Sequence, residues 1–179
     1  DAHYFGGPPS WRNFLSLQPV PLERKSPDEK LILVAASKDA NVADHIAREV
    51  IAACKDTFGE DGWEFIFKPH PKERPETADS ARRAGILQDA PLLETDASTN
   101  RLIASVDCSI FNPGAVGTTI AGLLRKPTIC FRDEVTNKNL RELTGSEEWY
   151  PADHGACISA KAGNIREMLL KACSAEGAR

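Results

Sequence analysis

The sequence lacks two features that would assign it to a large functional class at once. No stretch approaches the apolar length of a membrane span, and 27% of the 179 residues are charged. Positive charge is not in excess either, because 22 Lys and Arg face 26 Asp and Glu, for a formal net charge of −4. A protein that coats nucleic acid usually needs a basic surface. The composition therefore argues against a nucleic-acid partner, although a local basic pocket for one phosphate remains compatible with it.

Closely spaced cysteine pairs are also missing. The five cysteines are widely spaced without any C-x-x-C, which argues against a zinc site or a disulfide framework. Cys108 and Cys130 lie in apolar runs and are predicted to be buried thiols. A reducing cytoplasm fits this usage, with membrane association only through parts outside this chain. The first residue is Asp1, not methionine, and the chain itself contains no recognisable signal peptide, so we interpret it as a fragment whose partner domain could hold half of an active site.

Several chemical signatures are absent as well. The sequence contains no G-x-x-x-x-G-K-[ST], no G-x-G-x-x-G and no G-x-S-x-G. None of its histidines has a metal-ligand partner at useful spacing, so we expect no metal site. We expect no cofactor either.

Short apolar runs alternate with helical patterns through most of the chain. Strands are predicted at 30–37, 63–68, 108–112, 127–133 and 155–160, and residues 90–96 are predicted to be a weak strand or an extended connection. Helices are predicted at 41–56, 76–86, 98–106, 115–126, 137–145 and 164–175. This order is typical of βαβ units, so we predict an α/β fold, a Rossmann-like, doubly wound parallel sheet over residues 29–179. Residues 1–28 hold five prolines and a Gly-Gly pair and are predicted to be an irregular arm or interdomain linker.

Ligands of doubly wound sheets bind at the carboxyl ends of the strands. The segments to inspect are therefore 37–41, 68–74, 112–119 and 132–136. In the first, Asp39 or Asn41 could cap a helix, while Ser37 and Lys38 could contact a phosphate; both interpretations stay open.

The second segment, "KPHPKER", fixes a histidine between two prolines directly after a strand. His70 is our candidate catalytic residue, because an imidazole can donate a hydrogen bond to an anionic oxygen. Lys68, Lys72 and Arg74 surround it with positive charge and make a phosphate-bearing ligand the natural partner. The alternative is a rigid turn with solvated lysines.

The third segment, "NPGAVGTT", turns directly from a strand into a helix. Asn112 begins the turn, Gly114 and Gly117 would allow close approach of a ligand to the backbone, and the helix N-terminus favours an anion. Thr118 and Thr119 add hydroxyl groups in the first turn. The alternative is that the glycines serve only the turn and the packing of the helix on the sheet.

Arg132 follows the fourth strand and is the last candidate for binding. It could equally form an ion pair with Asp133, Glu134 or Glu142.

A strand ending in "KPHP", followed later by N-P-G-x-x-G, a helix and "KPTI", resembles the C-terminal nucleotide-binding domain of GT-B-type glycosyltransferases. It is also similar to the non-hydrolysing UDP-N-acetylglucosamine 2-epimerases and the CDP-glycerol and capsule polysaccharide transferases. The resemblance implies that His70 lines the nucleotide cleft, that Gly114 and Thr118 receive the diphosphate, and that Arg132 matches a family arginine. Pro113 replaces the family serine, and the paired glutamates of the epimerases are replaced near Thr118 and Thr119.

The resemblance implies a UDP-, CDP- or CMP-linked sugar or polyol as the substrate, and an N-terminal Rossmann-like domain as the partner. The expected function is donor binding for a glycosyltransferase of polysaccharide or glycoconjugate synthesis. The alternatives are a sugar-nucleotide epimerase half, against which the missing acids count, and a non-catalytic binding module.

Overall fold

The computed structural model describes residues 15–35, 37–153 and 155–174, in which five parallel strands alternate with helices. The strands are β1 (Lys30–Ala35), β2 (Trp63–Lys68), β3 (Cys108–Phe111), β4 (Thr128–Phe131) and β5 (Ile158–Ala160). The α-helices are α1 (Ala40–Phe58), α2 (Ser80–Leu87), α3 (Thr99–Ser105), α4 (Val116–Leu123), α5 (Glu134–Thr144), α6 (Tyr150–Asp153) and α7 (Ile165–Ala172). A 3-10 turn covers Pro75–Thr77.

The sheet has the strand order β2-β1-β3-β4-β5, and every pair of neighbouring strands in it is parallel. Because β1 lies between β2 and β3, the chain first moves to one side of β1 and then crosses to the other. The carboxyl ends of β1 and β3 therefore form the topological switch point, where such sheets bind their ligands. The predicted α/β class and doubly wound parallel sheet are confirmed.

Helices cover both faces of the sheet, which explains why the strands are continuously apolar. On one face, α1 and α7 bury Ile46, Val50 and Leu169 against the sheet. On the other face, α3 and α4 contribute Leu102 and Ile120. Both predicted buried thiols, Cys108 and Cys130, are buried in β3 and β4.

One open alternative is decided, and two local features differ from the prediction. Residues 90–96 form the extended connection and not the weak strand, since Leu92 makes only an isolated bridge to Phe65 of β2, flanked by hydrogen bonds of Phe65 to Pro91 and Leu93. The helical period of residues 115–126 predicts an inner face formed by Val116, Ile120 and Leu123, but Val116 is 68% exposed. The reason is its position as the first residue of α4, beyond the end of the sheet. The short helix α6 was not predicted.

The irregular segment expected at the N-terminus continues over residues 15–28 in the described part. Leu22 packs on the α3–α4 face, the Val20 N–H donates to Ser105 Oγ at 2.6 Å, and Arg24 pairs with Asp107 at 2.7 Å. Residues 1–14 lie outside the described residues. The division at residue 28 stays a prediction.

Candidate functional site

A cleft of about 730 Å³ lies above the carboxyl ends of β1, β2 and β3. Its volume is in the range typical of small-molecule sites, and its position is the switch point of the sheet. The side chains and turns that line it come from all three strand ends and from α3, α4 and α5; they include Ser37, Lys38, Lys68, His70, Lys72, Arg74, Ser98, Thr99, Asn100, Asn112, Gly114, Val116, Gly117, Asn139 and Leu143.

His70 is held at the cleft in a defined protonation state. Its Nδ1 accepts a hydrogen bond from the backbone N–H of Lys72 at 3.0 Å, and its backbone carbonyl accepts from the Glu73 N–H at 2.9 Å. Burial, together with the positive charges of Lys38 and Lys72, lowers the pKa of the imidazole below 6.5. With Nδ1 acting as acceptor, the proton of the neutral ring is on Nε2, which leaves one ring donor for a ligand.

Four basic side chains line the cleft, namely Lys38, Lys68, Lys72 and Arg74, and no aspartate or glutamate among the described residues does so. In a chain with a net charge of −4 this is a local reversal of sign. The Lys68 Nζ donates to the carbonyl oxygen of Thr95, a neutral acceptor. Positive charge gathered in a concave site raises the local concentration of anionic ligands.

The loop that carries His70 is fixed by a chain of charged contacts behind it. Arg83 of α2 makes two hydrogen bonds to the Glu73 carboxylate, at 2.7 and 2.9 Å, and a third to Asp44 of α1 at 2.7 Å. The guanidinium also lies over the Phe67 ring, 5.1 Å from its centroid. The backbone N–H of Arg74 donates to the Lys38 carbonyl at 2.8 Å and ties the loop to the end of β1. The predicted rigidity of this segment therefore has more causes than its prolines.

The turn between β3 and α4 presents an uncapped helix N-terminus to the cleft. Asn112 is buried, and its Nδ2 donates to the Pro113 carbonyl at 2.7 Å, which closes the turn. Gly114 has φ +86°, a conformation that favours glycine. The first turn of α4 has no acidic residue and no side-chain cap. Among the described residues, no hydrogen bond is recorded for the backbone N–H groups of Val116 and Gly117.

Gly117 has a packing reason for lacking a side chain. A Cβ at this position would lie 2.2 Å from Cε1 of the buried Phe111 ring. Thr118 is also buried, outside the cleft lining, and its Oγ1 has no hydrogen-bond partner among the described residues. Thr119 is half-buried and does not line the cleft either. The binding roles of both threonines stay predictions.

Arg132 is not brought to the cleft. Its guanidinium pairs with the Asp153 carboxylate and donates to the Glu147 carbonyl at 2.7 Å. Arg132 does form an ion pair, as the alternative to ligand binding expected, but the partner is Asp153 of α6 and not Asp133, Glu134 or Glu142.

Sequence patterns did not identify two contributions to the cleft. The start of α3 supplies Ser98, Thr99 and Asn100, and α5 supplies Asn139 and Leu143. Asn139 is buried on the same helix face as Leu140, with its Oδ1 at 3.5 Å from Ser37 Oγ. The sequence signal for Asn139 was a polar residue on the inner face of an amphipathic helix. Whether that face meets the cleft depends on the strand order, which the local sequence does not give.

Other possible sites are less well formed. A second cavity of about 190 Å³ lies at the amino ends of β3 and β4 and includes Arg125, Lys126 and Cys173. In the described ranges, no group of three or more His, Cys, Asp and Glu side chains could hold a metal ion. None of the helices described here combines the length and apolar composition that a bilayer span requires.

Comparison with known proteins identifies relatives by structure only. No protein-family model matches the sequence, and no curated protein matches it. S. aureus MnaA, in a co-structure with UDP, superposes with a TM-score of 0.56 at 14% identity, over 89% of this chain and 42% of the other. CalG4, the calicheamicin glycosyltransferase, gives 0.55 at 13% identity over 88% and 37%.

The UDP-GlcNAc 2-epimerase of Methanocaldococcus jannaschii, in complex with UDP-GlcNAc and UDP, gives 0.51 at 13% identity over 93% and 42%. The chain has the fold of a domain found in both UDP-GlcNAc 2-epimerases and glycosyltransferases. The expected resemblance is confirmed at the level of fold. This chain spans about two fifths of the length of these proteins.

Proposed function

We propose that this chain is the part of a GT-B-type glycosyltransferase that binds a nucleotide-activated sugar or polyol, in polysaccharide or glycoconjugate synthesis. The observation that carries the proposal is the cleft at the switch point, with four basic side chains, a neutral histidine and no carboxylate among the described residues. Two structural relatives were solved with UDP, which agrees with a nucleoside diphosphate as the ligand.

In the proposed complex the diphosphate lies between His70 and the start of α4. The free N–H groups of Val116 and Gly117 donate hydrogen bonds to phosphate oxygens, and the helix dipole adds positive potential. The Nε2–H of His70 donates from the side of β2, and Lys38 supplies charge between them. These groups would stabilise the negative charge that develops on the leaving diphosphate during transfer.

The described residues of the cleft offer no general base. A base is needed to remove the proton of an acceptor hydroxyl, and no carboxylate of the described residues lines the cleft. The neutral imidazole of His70 has its acceptor nitrogen occupied by the Lys72 N–H. We therefore assign the base to an N-terminal Rossmann-like partner domain. The same lack of acids counts against an epimerase half and keeps a non-catalytic binding module as the second candidate.

Calorimetric titration with UDP, CDP and CMP tests the proposal. We expect binding of at least one nucleotide by the wild-type chain and loss of most affinity in His70→Ala. In His70→Gln the side-chain amide can place a donor near the position of Nε2, so this variant should retain more affinity than His70→Ala. Lys171→Met is the charge control, because Lys171 is exposed on α7 and does not line the cleft. The absence of binding by every nucleotide would overturn the proposal.

Detection of transfer requires the full-length protein. If the full-length protein binds the nucleotide sugar but neither transfers nor hydrolyses it, the non-catalytic module is the correct alternative.

A further inference from the structure

The positive charge of the cleft exceeds the negative charge of a diphosphate bridge. Lys38, Lys68, Lys72 and Arg74 contribute four formal charges. Each phosphate of a diphosphate bridge carries about one negative charge, as a phosphodiester does. The start of α4 adds further positive potential on its own. A neutral sugar attached to a diphosphate would therefore leave about two cations of the cleft without a counter-charge.

These cations have no protein carboxylate to neutralise them. None of the four takes part in an ion pair among the described residues, whereas the arginines nearby on α2 are all paired. The one acid within the loop is Glu73, between Lys72 and Arg74 in sequence. Its two carboxylate oxygens are taken by Arg83, and it does not line the cleft.

Lys72 and Arg74 lie at the far end of the proposed diphosphate position. That position reaches from the start of α4, after β3, to His70 on the loop after β2, with β1 between the two loops. Neighbouring strands lie about 4.8 Å apart, so the two loops leave the sheet about 10 Å from each other. A diphosphate that ends at His70 brings about two negative charges to the cleft, which leaves Lys72 and Arg74, further along the loop, without a counter-charge.

We propose that the transferred group itself carries an anion, as the carboxylate of a sugar acid or as a phosphate, and that Lys72 and Arg74 bind it. This inference rests on the proposed function and narrows its substrate class from nucleotide-activated sugars to acidic ones. Arg74 suits either anion, because a guanidinium binds carboxylates and phosphates through paired N–H donors. Lys38 lies between the two anions, with its carbonyl bonded to the Arg74 N–H.

A matched pair of ligands tests the inference. UDP-glucose and UDP-glucuronic acid differ only in a hydroxymethyl group and a carboxylate at the same carbon. We expect the wild-type chain to bind the acid about fivefold more tightly, the upper range for a partly exposed ion pair. In Arg74→Met and Lys72→Met this preference should fall towards one, while the affinity for UDP itself changes less. In Lys171→Met the preference should remain.

CDP-glycerol with a phosphate on its free primary hydroxyl, compared with CDP-glycerol itself, forms the second arm and distinguishes a phosphate from a carboxylate. A preference for the acidic member in either arm that depends on Arg74 or Lys72 supports the inference and identifies the anion. Equal affinities within both pairs, with UDP or CDP binding intact, overturn the inference and leave the proposed function standing. Failure of UDP and CDP to bind overturns the inference, and if CMP does not bind either, the proposed function is overturned with it.

Discussion

The proposed anion site at the start of α4 depends on the close packing of Gly117 against Phe111 of β3. Its Cα lies so close to β3 that an added Cβ would approach Cε1, Cζ and Cδ1 of Phe111 to 2.2, 2.4 and 2.9 Å. Phe111 is only 2% exposed, so its ring cannot move into solvent. For Gly117→Ala we expect the helix-propensity gain to be outweighed by overpacking, with a net loss of about 1–3 kcal/mol.

Thermal unfolding is the assay for this variant. For a chain of this size each kcal/mol corresponds to about 2–4 °C, so the Tm should fall by about 2–12 °C. Gly85→Ala is the matched control, because Gly85 is also inside a helix and a Cβ there meets no atom within 4 Å. That substitution should raise the stability by about 0.5–1 kcal/mol.

A second substitution identifies the contact as the cause. In a Phe111→Leu background the ring atoms that meet the new Cβ are gone, so Gly117→Ala should cost less there than in the wild type. The reasoning is refuted if Gly117→Ala is as stable as Gly85→Ala, or if its cost is unchanged by Phe111→Leu.

Two further tests address contacts away from the cleft lining. Arg83→Met should lower stability by about 1–3 kcal/mol and weaken UDP binding, because it removes the bonds to Glu73 and one of the two arginines that bind the buried Asp44. Arg82→Met removes the other arginine from Asp44 but no bond to Glu73, so it should preserve UDP affinity. Equal UDP affinity in both variants would exclude a positioning role for Arg83. The second test compares the free energy of unfolding of wild type and Asp133→Asn, measured with urea across about pH 3–6.

Burial alone would raise the pKa of the Asp133 carboxyl, but hydrogen bonds from the Thr136 N–H and from His45, at 2.5 Å, lower it below 3.8. A depressed carboxyl pKa gives stability that is complete above the unfolded-state pKa and is lost as the pH falls through the folded-state pKa. Wild type should therefore exceed Asp133→Asn in stability near pH 6, and the difference should shrink towards acid pH. A difference that stays constant would contradict this assignment.

The fold was predictable where local signals agreed. β2 was predicted at its observed bounds, because "WEFIFK" combines aromatic and β-branched residues without a breaker. The start of α5 was missed by three residues, although Asp133 and Thr136 form a capping box with reciprocal hydrogen bonds. Residues 90–96, left open between a weak strand and an extended connection, form the connection because Pro91 has no N–H to donate and only Leu92 pairs with β2.

The site residues that directly follow a strand were predictable, because ligands of doubly wound sheets bind at the carboxyl ends of the strands. His70, Lys38 and the turn at Gly114 all follow strands, and the structure brings them to one cleft. Asn139 and Ser98 could not be assigned, because their approach to the cleft depends on the strand order. Arg132 satisfied the rule but pairs with Asp153, a contact across 21 residues that no local pattern encodes.

A crystal structure of the chain with UDP tests the central claim most directly. We expect the diphosphate within hydrogen-bond distance of the Val116 and Gly117 N–H groups and of His70 Nε2, in the cleft at the switch point. A diphosphate found instead at the amino ends of β3 and β4, beside Arg125 and Lys126, would contradict the account. The absence of nucleotide from crystals grown at saturating UDP would contradict it as well.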